Sequence, residues 1–277
     1  MASPEIRKIV IIGAGRLAVN LSMAIHKKGF RIMEVCNRTE SKGESLARRL
    51  KARYIQEPEL ITPDADCYIL AVSDAAISLV LEHLKTENRL IVHTSGTVNL
   101  NILQSVSSNS GVIYPLQTFT TNRLLPFRRI PLCIEASSPE NLLLIRSLAE
   151  SLSEKVYTMT SEQRRALHLS AVFASNFTNF MVAISQELLR EKGIESGILE
   201  PIIRETAGHA ISGDVFKLQT GPAVREDMET IRLHLEMLST HSDYKEIYDL
   251  ITRNIIQHKK SHDQLQAISE KYQYLHF

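Results

Sequence analysis

Tryptophan is absent from the 277-residue chain, which also carries only three cysteines, eleven glycines and nine prolines. So little Gly and Pro excludes a collagen-like or low-complexity chain, and three cysteines exclude a small disulfide scaffold. Cys36, Cys67 and Cys133 each sit beside an apolar run that reads as a buried strand, where a free thiol packs as a small hydrophobe, so a reducing compartment is expected. An excess of either charge is lacking too. With 32 Lys and Arg against 31 Asp and Glu, the formal charge is +1, which excludes a global field for a nucleic-acid backbone or an anionic membrane surface. No apolar stretch approaches the ~18 residues that a membrane span needs, and Lys8 to Ile12 is too short for a signal-peptide core, so a soluble, cytoplasmic protein is expected. No metal pattern is found either: His258 and His262 share a helical face with only Asp263 nearby, as on a solvated helix.

What is present suffices for a large core, with 44% apolar and 23% charged residues, and the length favours two domains. From Ile6 to about Thr160, β-rich runs alternate with helical patterns, the signature of a parallel sheet covered on both faces. The spacing predicts strands at 8–12, 32–37, 52–55, 67–72, 90–94, 111–114, 131–135 and 155–158. Thr160 and Gln163 then form a capping box and open a helix without a strong breaker before Gly193, about 45 Å at 1.5 Å per residue. Helical stretches follow at 199–212, 222–238 and 244–271. The expected architecture is an α/β Rossmann doubly wound sheet over residues 1–159, followed by an all-α helical domain over 160–277.

Ile9-Val10-Ile11-Ile12 runs into Gly13-Ala14-Gly15-Arg16-Leu17-Ala18 and then a helix, which is G-x-G-x-x-A between a strand and a helix. Gly13 allows the tight turn, Gly15 lets backbone approach a pyrophosphate, and Ala18 lets the helix pack on the strand. Helix N–H groups then face the phosphates. At the end of the second strand, where an NAD enzyme places Asp or Glu, the chain has Asn37-Arg38-Thr39 with Ser41 and Lys42 behind. Asn37 suits a ribose oxygen, and Arg38 and Thr39 suit a 2′-phosphate, so NADP(H) is the expected cofactor. A solvated basic loop is the competing reading.

Further strand ends face the same crevice. Val72-Ser73-Asp74 precedes a helix, so Ser73 or Asp74 is expected to cap it, with cofactor contact through backbone. Thr94-Ser95-Gly96 follows the fifth apolar strand, where the nicotinamide end would lie, and Ser95 can give and take a hydrogen bond there; a plain turn is the rival. On the long helix, His168, Val172, Ser175 and Asn179 recur on one face at 100° per residue, with Asn176 at its edge. An imidazole exchanges protons near neutral pH, so His168 is the candidate acid or base, against the alternative of a histidine satisfied in a packing interface. Gln117 and Thr118 after the sixth strand, and Arg225 and Asp227 after Pro222, are candidate substrate contacts; loop polarity and the helix dipole account for them equally well.

These residues together resemble the 6-phosphogluconate dehydrogenase-like superfamily, and within it a bacterial family of NADP oxidoreductases whose reaction is unassigned. The resemblance is carried by His93-Thr94-Ser95-Gly96, Tyr114-Pro115-Leu116-Gln117-Thr118-Phe119, the run His168 to Phe177, and the run Gln219 to Asp227. It implies a first part related to deazaflavin-dependent NADP oxidoreductases and pyrroline-5-carboxylate reductases, and a second part known only as a domain of unknown function. Hydroxyacid dehydrogenases of the superfamily hold substrate with a Ser-Gly pair after the fifth strand, which Ser95 and Gly96 resemble. They also place a catalytic lysine on the long helix, and this chain departs from that pattern, with no lysine there before Lys192. The resemblance implies that His168, Ser95 and Asn176 converge across the nicotinamide on a small carbonyl or imine substrate held between the domains. A non-catalytic NADP(H)-binding protein acting through partner contacts is the alternative. A homodimer is expected, because a helix of about 45 Å is difficult to cover within one small helical domain.

Overall fold

Eight short aliphatic runs form one sheet. The computed structural model describes residues 5–120, 124–212 and 215–273, the side chains of Ser212 and 263–273 excepted, so the Asp263 side chain weighed above lies outside the described residues. The strands are β1 (Lys8–Ile12), β2 (Arg31–Cys36), β3 (Arg53–Ile55), β4 (Cys67–Leu70), β5 (Leu90–His93), β6 (Ser110–Pro115), β7 (Leu132–Ala136) and β8 (Val156–Thr158). Their order is β3-β2-β1-β4-β5-β6-β7-β8, a Rossmann-type arrangement in which the chain reverses direction across the sheet between β1 and β4. β1 is apolar along nearly its whole length because both of its faces are covered: Ile9 and Ile11 belong to one core layer, Val10 and Ile12 to the other. Helices α1 (Arg16–Lys27), α2 (Glu40–Leu50), α3 (Asp74–Leu81) and α4 (Pro139–Leu152) alternate with the strands. α1 buries Ala18, Leu21 and Ile25 at helical spacing, and α4 starts on the Ser138 cap with Pro139 at its first position. The sheet departs from the all-parallel expectation at one place. β6 and β7 pair antiparallel, because the described part of the chain between them carries only the short turn Phe127–Arg129 and no crossover helix.

The first compact unit runs from Met1 to Thr178 and so includes α5 (Ser161–Ala171). The Thr160–Gln163 capping box forms as the sequence predicts. A buried ion pair explains why α5 belongs with the sheet. Arg164 is fully buried, and its guanidinium binds the Glu135 carboxylate of β7, the Val98 carbonyl at 2.5 Å and Ser161 Oγ at 3.1 Å. Ser161 donates its backbone N–H to the same carboxylate at 2.9 Å and its hydroxyl at 2.8 Å, while Ser161 Oγ accepts the Leu100 N–H at 3.1 Å. One carboxylate thereby gathers β7, the start of α5 and the loop after β5.

The long helix continues as a π-helical segment (Val172–Phe177) and α6 (Thr178–Glu191). It corrects the expectation about long apolar stretches. Ser161–Glu191, 31 residues with a window of mean hydropathy 1.3, is long and apolar enough to cross a membrane by length and composition. Ala166 to Gln186 contain no charged residue, and scattered Ser, Thr and Asn hide the run from a search for unbroken apolar sequence.

The described residues of the second unit, Asn179–Phe277, form helices joined by turns and loops. The unit holds α7 (Glu200–Ser212), α8 (Pro222–Arg225), α9 (Met228–Met237) and α10 (Ser242–Gln273). The single helix expected over 222–238 is broken, because Glu226 takes a left-handed conformation (φ 53°) and Asp227 caps a new helix by accepting the Thr230 N–H at 3.1 Å. Tyr248 of α10 meets His234 of α9 at 2.8 Å, and Lys259 reaches the Val224 carbonyl at 2.8 Å.

Removing one partner of the buried pair strands the other charge. Arg164→Met or Glu135→Leu alone should cost about 3–5 kcal/mol in urea denaturation, whereas the two together should recover most of that loss.

Candidate active site

The glycine turn forms at the switch point between β1 and β4. Gly13 has φ +115°, and a Cβ there would collide with the Ala71 carbonyl, so only glycine fits; its N–H bonds the Cys36 carbonyl at 2.7 Å. Gly15 caps α1, and a Cβ built on it meets nothing within 4 Å, so the backbone there faces open space. Around this turn lies a cleft of about 770 Å³ lined by Gly13, Ala14, Gly15, Arg16, Leu17, Asn37, Arg38, Thr39, Val72 and Ser73. Thr94 is not among its walls: it is buried, and its hydroxyl donates to the Leu70 carbonyl at 3.2 Å.

Local bonding refines several roles. The Asn37 amide donates to the Thr39 carbonyl at 2.7 Å, so it shapes the turn after β2. Ser73 occupies the cap position of α3, but its side chain makes no capping hydrogen bond, which corrects the capping role expected of it. Asp74 does not cap in its place; its carboxylate accepts the Thr97 hydroxyl. The cleft also has walls that sequence spacing did not mark, Gln56 and Glu57 after β3, while Lys42 joins Arg38 as a second cation. Cys36 faces the cleft as well, yet burial pushes its thiol up to about 12, so it is inert near neutral pH.

A second polar cluster lies at the ends of β5 and β6 against α5. Tyr114 Oη and His168 Nδ1 are 3.0 Å apart, with ring planes at 64°. Gly96 packs on both rings: a Cβ there would lie 2.6 Å from His168 Nδ1 and 3.0 Å from Tyr114 Cζ. Ser95 is buried, and its Oγ accepts the N–H groups of Thr97 and Val98 at 3.0 Å each, so the hydroxyl builds the loop that carries Gly96. Four residues beyond Tyr114, Thr118 Oγ1 meets Ser175 Oγ at 3.1 Å, and Gln117 Oε1 accepts the Thr118 N–H at 2.9 Å. The structure therefore brings His168, Gly96 and Tyr114 together, and separately Thr118 and Ser175. Asn176 is exposed within the π-helical segment. That wider turn breaks the 100° projection used to place Ser175 and Asn179 on the face of His168, so the shared face does not carry past Val172. In the second unit, Asp227 caps α9 and Arg225 ends α8. Sequence reasoning missed Tyr114; its one signal was an aromatic residue with a polar tip near the carboxyl end of a central strand.

Burial sets the protonation of the neighbours. Tyr114 is raised above the usual phenol value, first by burial and then by the charges of Cys133 and Asp74, with Arg164 opposing. His93, wholly buried beneath the loop, accepts the Ser95 N–H at Nδ1 (3.2 Å), and its Nε2 has no partner among the described residues. Burial, helped by the Arg164 charge, holds its pKa down at about 4.

Comparison with known proteins agrees with the fold. Residues 2–118 match the Rossmann-like domain, and residues 130–255 match the domain of unknown function DUF2520. A crystal structure from Bacteroides fragilis named "putative NADP oxidoreductase" is similar at 38% identity and TM-score 0.84, covering 92% of this chain and 100% of that one. An imine reductase from Myxococcus stipitatus in complex with NADP+ is similar in fold, at 16% identity and TM-score 0.67, covering 92% of this chain and 94% of that one. A pyrroline-5-carboxylate reductase from Coxiella burnetii shares the fold at 17% identity and TM-score 0.55, covering 91% of this chain and 97% of that one. No curated protein sequence matches.

His93 makes a pH prediction. Its folded pKa of about 4 lies below the ordinary 6.5, so the unfolded chain binds the extra proton first and stability falls as pH drops from about 6.5 to 4. The loss should reach about 3 kcal/mol. Urea midpoints at pH 7 and 4.5 should converge by most of that amount in His93→Gln.

Proposed function

The chain, a Rossmann-like domain followed by the domain of unknown function, belongs to the family of the Bacteroides fragilis protein, and on that premise we propose that it is an NADP(H)-dependent oxidoreductase acting on a small carbonyl or imine compound. The observation that carries this reading is the cleft at the switch point, where the Gly13 turn and the open side of Gly15 leave a cradle for a pyrophosphate and Arg38, Thr39 and Lys42 line the adjoining wall. Arg38 and Lys42 complement a 2′-phosphate, and the α1 N-terminus offers backbone N–H groups to the pyrophosphate. A bound nicotinamide would supply or take the hydride. The chain's task is then to bind and orient the substrate and to move one proton. His168 is the group proposed for that proton; Ser95 and Asn176 are proposed to orient the reacting polar group, with Gly96, Gln117 and Thr118 as substrate contacts.

We propose further that the protein works as a homodimer. Among the described residues of the second unit only Ala223, Ile231, Leu238 and Thr252 are buried, while Phe180, Ile202, Ile211, Phe216 and Met237 are exposed. Four buried residues do not hold a unit of this size, so a second copy is the economical cover. An apolar cavity of about 270 Å³ between α6, α8 and α10 adds to the surface to be covered. Light scattering at micromolar concentration should give the mass of two chains, and a monomer would count against this assembly.

Nicotinamide fluorescence tests the cofactor directly, since no tryptophan interferes. NADPH should bind about tenfold more tightly than NADH, about 1.4 kcal/mol, and Arg38→Ala should erase the difference; equal affinities for the wild-type protein would overturn the reading. With a substrate in hand, His168→Asn should retain NADPH affinity and lose roughly 10²- to 10⁴-fold in turnover.

A further inference from the structure

Tyr114 and His168 form a directional pair. A phenol is a strong donor and the imidazole lone pair a strong acceptor, so the favoured arrangement across their 3.0 Å contact is O–H donating to Nδ1. The reverse arrangement, Nδ1–H donating to the phenol oxygen, forces the phenol proton elsewhere, and among the described residues no other acceptor lies within hydrogen-bond distance of it. Burial strengthens the choice, since it keeps the phenol protonated. Gly96 closes the same edge of the ring: its backbone sits where a Cβ would be 2.6 Å from Nδ1 and 2.9 Å from Cγ. Nε2, by contrast, has no hydrogen-bond partner among the described residues, and the ring is only half-buried.

Resting on the oxidoreductase reading above, we infer that Tyr114 is a positioning residue that locks neutral His168 in the Nε2–H tautomer, so that the ring presents a fixed hydrogen-bond donor and the substrate's reacting atom carries a lone pair. That atom is a carbonyl oxygen or a neutral imine nitrogen; an iminium cation has no lone pair to receive the bond. As hydride adds to the carbon in the reducing direction, the C=O or C=N electron pair moves onto the heteroatom. The heteroatom forms its new bond to the Nε2 proton, the electron pair of the Nε2–H bond stays in the ring, and Nδ1 takes the Tyr114 proton. The phenolate then takes its proton back from Nδ1 while Nε2 recovers one from water, which restores the starting tautomer. An alkoxide is a far stronger base than a phenolate, so the relay runs downhill even with the phenol's pKa raised.

Nitrogen NMR of protein labelled at histidine tests the lock without any substrate. The His168 signals, identified by their loss in His168→Gln, should place the proton on Nε2 and show an Nδ1 resonance displaced by the phenol's hydrogen bond. In Tyr114→Phe the Nδ1 resonance should return to the position of a free acceptor nitrogen. A proton on Nδ1 in the wild-type protein overturns the inference, as does an Nδ1 resonance unmoved by Tyr114→Phe. The wild-type spectrum decides the tautomer even if that variant fails to fold. Failure of NADPH binding would remove the oxidoreductase reading and leave these resonances where they are, so the two failures are distinguishable.

Discussion

The arrangement around His168 depends on one buried charge. Arg164 lies one helical turn before it and is wholly enclosed, so its guanidinium must be neutralised where it stands. Glu135 does this from β7, and the remaining guanidinium and carboxylate bonds go to Val98 and Ser161. A helix start, a strand and the loop after β5 are thereby held at fixed spacing. That spacing puts Gly96 against the imidazole and Tyr114 against Nδ1. This network restricts α5 to one rotation and one height on the sheet, which is the precision that the proton transfer proposed for His168 requires.

The cleft at the glycine turn obeys a different constraint, the steric one of a tight turn beside a neighbouring strand. Gly13 leaves no space for a side chain against Ala71, while Gly15 faces space that is open. The two glycines therefore differ, one required by the fold itself and the other facing the open cleft. The residues after β2 are likewise divided, since the Asn37 amide is bound within the turn while Arg38 and Lys42 line the cleft wall.

Much of the first unit was legible before any coordinates. All eight expected strands occur, because apolar runs of four to six residues between helical patterns have few other ways to satisfy their backbone. The glycine fingerprint and the Thr160–Gln163 capping box are local devices, and local devices survive in any tertiary context. The antiparallel pairing of β7, the break at Glu226 and the π-helical segment were not legible, since each depends on how distant parts of the chain pack.

The sequence alone determined the strand succession, the glycine turn after β1 and the basic character of the β2 end, because each is specified within a few consecutive residues. His168 could be singled out by its chemistry, but its partner could not: Tyr114 and His168 lie 54 residues apart, and no periodicity links a strand end to a helix face at that distance. The hydrogen bonding of Ser95, Thr94 and Ser73 was similarly decided by tertiary structure. A hydroxyl bonds whichever group the fold brings near, and here that is loop backbone for Ser95, the Leu70 carbonyl for Thr94 and no cap for Ser73.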